Sequence, residues 1–105
     1  MSFRAGEIVW VLMADSNPKG PVKRPALIVD VYGIDCRVVA ITSSFNEHHL
    51  GPHEIRLPKD NVTNLTKESV ATCNWTKVVL LEGLERIGCV DALVLARAKM
   101  ILRTR

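Results

Sequence analysis

The chain has 105 residues, a formal net charge of +3, 48% hydrophobic residues, five aromatic side chains and three cysteines. That length suits one core and excludes two, the hydrophobicity excludes disorder, and no apolar run approaches the roughly 18–20 residues that cross a bilayer. With 14 Lys and Arg against 11 Asp and Glu spread along the chain, a polyanionic partner is permitted without being required.

Glu7 to Met13 is β-branched and aromatic-rich and apolar on both faces, as expected of a core strand covered on both sides. Asp15-Ser16-Asn17-Pro18-Lys19-Gly20-Pro21 concentrates turn formers and reads as an exposed loop. Arg24-Pro25 opens a strand from Ala26 to Val31, with the proline tolerated as its first residue. Tyr32-Gly33-Ile34-Asp35 turns the chain into a third strand, Cys36 to Thr42. His53 to Leu57 alternates in the manner of a half-exposed strand, Lys59 to Lys67 is a polar loop, and Val70 to Leu81 is long and β-prone. On that strand Ala71, Cys73 and Trp75 are expected on one face and Thr72, Asn74 and Thr76 on the other. Asp91 is placed to cap a terminal helix from Ala92 to about Arg103, whose apolar stripe is Val94, Leu95, Ala98, Ile101 and Leu102. Five or more short strands and one late helix imply a mainly β fold, a small barrel over residues 1–105.

Met1-Ser2-Phe3-Arg4 carries no secretory apolar stretch, and Cys36, Cys73 and Cys89 show no C-x-x-C spacing, so a cytoplasmic protein with reduced thiols is expected. His48, His49 and His53 fall within six residues, but neighbouring strand residues point to opposite faces, so the reading is one imidazole carrying a proton rather than a metal site. Trp10 and Trp75 sit in apolar strands and read as core fillers. Phe45, beside Thr42-Ser43-Ser44, is the aromatic expected next to a site.

The runs Gly6-Glu7-Ile8-Val9-Trp10-Val11, Arg24-Pro25-Ala26-Leu27-Ile28-Val29, Ala40-Ile41-Thr42-Ser43 and Glu68-Ser69-Val70, followed by an apolar helix, occur in an order that resembles the PemK/MazF family of toxins from toxin–antitoxin pairs. The resemblance covers nearly the whole chain and implies a small SH3-like barrel of the PemK/MazF/CcdB type with a C-terminal helix, working as a homodimer. It implies an endoribonuclease that cuts single-stranded RNA without a metal or cofactor, opposed by an acidic antitoxin protein. By the same resemblance Arg24 and Thr42 are the expected catalytic residues, with Ser43 beside them. A guanidinium offers forked donors to a phosphate whose charge grows in the transition state, and a hydroxyl holds a phosphate oxygen or the attacking 2′-hydroxyl.

Lys19, Lys23, Phe45, Thr72, Asn74 and Lys77 are the expected substrate contacts, the lysines as phosphate partners. Some family members carry Arg-Cys-Asp on the long strand, with the acid as general base; here the segment is Thr72-Cys73-Asn74, and Asn74 cannot take up a proton. The alternative reading is therefore an inactive member of the fold that binds nucleic acid or protein.

Overall fold

A strand apolar at successive positions has side chains to bury on both faces, and Glu7–Met13 sends Ile8 into one core and Val9 and Val11 into another, while Leu12 stays exposed. The structure, a computed structural model, describes residues 2–13, 20 and 22–103. In chain order the elements are β1 (Glu7–Met13), β2 (Val22–Tyr32), β3 (Asp35–Thr42), β4 (Glu54–Leu57), β5 (Ser69–Leu80), β6 (Glu85–Cys89) and α1 (Ala92–Arg103). The strands form one sheet in the order β4-β5-β3-β2-β1-β6 with every neighbouring pair antiparallel. The fold is mainly β, a half-barrel with one C-terminal helix, as expected from the sequence.

One core, around Ile8, Leu27, Val39, Ile41 and Cys73, is covered by Val94, Leu95, Ile101 and Leu102 of α1, with Ala98 fully buried. The small alanine lets the helix approach the sheet closely. Asp91 starts α1 by accepting the Val94 amide on Oδ1 at 2.9 Å, which satisfies one of the unpaired donors of the first turn. The other core gathers Val9, Val11, Ala26, Ile28, Cys36 and Val38 on the opposite face. Each fully buried aliphatic side chain contributes about 1.5–3 kcal/mol, so these two clusters hold the sheet's curvature.

β4 and β6 are the edges of the sheet, and the connection from Pro58 to Glu68 spans between them. The Cys89 amide donates to the Val62 carbonyl at 3.0 Å, and Asn64 Nδ2 donates to the Ile87 carbonyl at 2.9 Å. Gly88 packs so tightly that a Cβ there would collide with the Thr63 backbone.

Four expectations need correction. β2 begins at Val22, so Pro25 lies within the strand and not at its start; it is tolerated because β2 there is laddered to β1 alone, the β3 ladder starting at Ala26. β6 is a strand the sequence reading left out; its charged start and its glycine hide it. Trp10 is 40% exposed, because its position pairs with Pro25 and Glu85 beyond the covered part of the sheet. Trp75 is 41% exposed for a different reason: β3 pairs Val39 with Thr76 and then Ala40 with Thr72, leaving Cys73, Asn74 and Trp75 in an irregularity of β5 that breaks the alternation.

Candidate phosphate-binding cleft

The β2–β3 ladder ends at the Ala26–Ala40 pair, with Arg24 two residues before Ala26 on β2 and Thr42 two residues after Ala40 at the end of β3. Arg24, Thr42 and Ser43 all line one cleft of about 310 Å³. The hydroxyls of Ser44, Thr66 and Ser69 add to its wall, and Trp10, Pro25, Ile41, Leu65 and Ile87 supply apolar surface. Thr42 Oγ1 accepts the Ser44 amide at 3.1 Å, which fixes the rotamer and leaves the hydroxyl proton to donate outward.

The cleft takes one further cation, Lys67, and Asn64, both from the connection between β4 and β5. No Asp, Glu or His is among the described residues that line it. Among the described residues of the wall, two cations and a row of hydroxyls suit a phosphodiester: donors abound, and none of these side chains repels an anion. The Lys59 to Lys67 stretch reads in sequence only as a polar loop; the signal that could have pointed to its role is the Asp60-to-Thr63 turn that folds it back.

The other expected contacts among the described residues lie elsewhere. Lys23 pairs with Glu85 at 2.9 Å, both side chains being exposed. Lys77 Nζ donates to the Leu12 carbonyl at 3.4 Å. Phe45 is half-buried, with the Arg56 guanidinium 5.3 Å from its ring centroid, a cation–π contact that occupies a face of the ring. Thr72 and Asn74 line a separate depression of about 270 Å³ with Gly51, His53 and Glu54. There the Thr72 hydroxyl donates to the Ala40 carbonyl at 2.9 Å. Lys19 lies outside the described residues.

Of the three histidines, His48 and His49 are exposed on the segment before β4, while His53 is half-buried. The His53 carbonyl accepts the Cys73 amide at 2.8 Å, and its Nδ1 is buried with no hydrogen-bond partner among the described residues. Among the described residues no three His, Cys, Asp or Glu side chains gather as a metal-ligand set, and no helix is long and apolar enough to cross a membrane.

Comparison with solved structures finds the same architecture. MazE-MazF from Deinococcus radiodurans is 21% identical over 95% of this chain and 92% of its own, with a TM-score of 0.68; a second crystal form gives 19%, 95%, 91% and 0.72. The Mycobacterium tuberculosis toxin MazF-mt6 is 20% identical over 96% of this chain and 94% of its own, with a TM-score of 0.66. At these identities the likeness is one of fold. Comparison with curated proteins finds no match. Residues 4–104 match the family model described as PemK-like, MazF-like toxin of type II toxin-antitoxin system, and the chain belongs to that family.

Proposed function

We propose that the protein is a toxin that cleaves single-stranded RNA, with Arg24 and Thr42 as its catalytic residues and Ser43 as a substrate contact. The observation that carries this reading is the convergence of Arg24, Thr42 and Ser43 on one cleft whose described lining holds no acid. In the reaction the 2′-oxygen bonds to the neighbouring phosphorus while the bond to the 5′-oxygen breaks. The proton of the 2′-hydroxyl passes to solvent, and the leaving oxygen takes one from water. The products are a 2′,3′-cyclic phosphate and a 5′-hydroxyl. Arg24 stabilises the charge that grows on the non-bridging oxygens, and the Thr42 hydroxyl donates to one of them. Neither group serves as a base, since a guanidinium stays protonated throughout the working range.

The chain acts in the cytoplasm as a homodimer whose groove is covered by an acidic antitoxin. Support for self-association comes from an apolar patch at the β2–β3 turn and the end of β5, where Tyr32, Ile34, Val78 and Leu80 are each at least 55% exposed. Support for the antitoxin comes from the family description and from the cationic cleft. The test is incubation of the purified protein with a long single-stranded RNA in the presence of a chelator, followed by analysis of the new ends. Cyclic phosphate and 5′-hydroxyl ends support the reading, and intact RNA refutes it.

A second reading, a catalytically inactive member of the fold that binds nucleic acid or protein, is favoured by Asn74, which replaces the acid of the Arg-Cys-Asp triplet and lines a depression apart from the cleft. It predicts salt-sensitive RNA binding with no cleavage.

A further inference from the structure

The connection between β4 and β5 is held far more firmly than a polar loop requires. Asp60 Oδ1 accepts the amides of Val62 and Thr63, both at 2.9 Å, and the Asp60 carbonyl accepts the Asn64 amide at 2.9 Å. Thr63 is 3% exposed and donates its hydroxyl to the Pro58 carbonyl at 2.7 Å, while Leu65 is anchored in the core. Asn64 takes the left-handed conformation, φ 55°, and ties the loop to β6. Beyond it, the Lys67 carbonyl accepts the Ser69 hydroxyl at 3.0 Å at the start of β5.

The product of this bracing is the position of Lys67, whose exposed side chain helps line the cleft that contains Arg24 and Thr42. The adjacent acid does not neutralise it: Glu68 lies 4.0 Å from Arg56 instead. Among the described residues Lys67 makes no ion pair. An ordered loop thus delivers a compact, mobile-tipped cation beside hydroxyls and a guanidinium, the chemistry of a phosphate contact rather than of a base.

We infer that Lys67 is a second phosphate-binding cation of the cleft, holding a backbone phosphate of the RNA strand next to the one engaged by Arg24. The inference deepens the RNA reading and rests on it. Arg24 supplies directional donors to the reacting phosphate, and Lys67 supplies charge that keeps the flanking strand in register.

The test measures binding of the full chain to a uniformly 2′-O-methylated RNA, which cannot be cut, over a range of salt concentrations. Wild type is compared with Lys67→Gln, Lys67→Arg and Arg24→Gln, each checked for an unchanged melting curve. Neutralising one phosphate contact to a single strand lowers the slope of log affinity against log salt by about 0.7. Lys67→Gln and Arg24→Gln should each show that loss, and Lys67→Arg should keep the wild-type slope. A wild-type slope for Lys67→Gln alongside a reduced slope for Arg24→Gln overturns the role of Lys67 alone. Unchanged slopes for both overturn the RNA reading beneath it.

Discussion

Asp60 touches no proposed substrate, yet its carboxylate holds the turn that carries Asn64 and Lys67 to the cleft. The Thr63 amide above all holds its carboxyl below the ordinary value of 3.8; burial, the next largest effect, opposes it, and the Val62 amide and the Thr63 hydroxyl add smaller lowering contributions. Because the folded value is the lower one, the stabilisation is fully present above the unfolded value and is lost as pH falls through the folded one. Asp60→Ala should therefore melt at a lower temperature than wild type at pH 7, and the gap should narrow as pH falls from about 4 toward 2. Thermal melts across that range check it; a gap that widens in acid contradicts it. Cys36 behaves oppositely: burial, then the Asp35 carboxylate, raise its thiol, so it stays protonated at neutral pH and fills the core as a small apolar group.

Among the elements, β6 and the β4–β5 connection do most to position the cleft, and both were hard to read locally. The approach of Gly88 to the Thr63 backbone leaves no space for a methyl group. Gly88→Ala should cost about 1–3 kcal/mol, the usual penalty of overpacking, read as a lower denaturant midpoint; a neutral substitution would mean that the loop does not seat on β6. The strands β1 and β3 and the helix α1 were legible because side-chain pattern and end signals agreed: an apolar run for β1, a Gly33 turn before β3, the Asp91 cap before α1. β5 was legible as a strand, but the fate of Trp75 was not. The irregularity at Cys73 to Trp75 falls where the β4 ladder has ended at Thr72 and β5 continues against β3 alone, a tertiary event that alternation cannot encode. That Arg24, Thr42 and Ser43 line one cleft was expected from motifs, whereas Lys67 reaches the cleft only because a distant loop folds back, and the sequence around it says merely that it is polar.

For the molecule as a whole, one half-barrel presents a cleft of about 310 Å³ and an apolar patch at the β2–β3 turn. In the proposed reading that surface is covered by a second copy of the chain. Sedimentation equilibrium at micromolar concentration should give twice the chain mass of 11.7 kDa, and Leu80→Asp should shift the mass toward the monomer. A monomer for wild type would contradict the dimer. The central claim is that the cleft cuts RNA through Arg24 and Thr42. It is tested most directly by cleavage of a long single-stranded RNA by wild type, Arg24→Ala and Thr42→Ala side by side. The account predicts that wild type cuts and that Arg24→Ala is slower by about 10²–10³-fold, the usual cost of losing a transition-state donor, with Thr42→Ala also impaired. RNA left intact by wild type, or cut equally fast by all three, would contradict it.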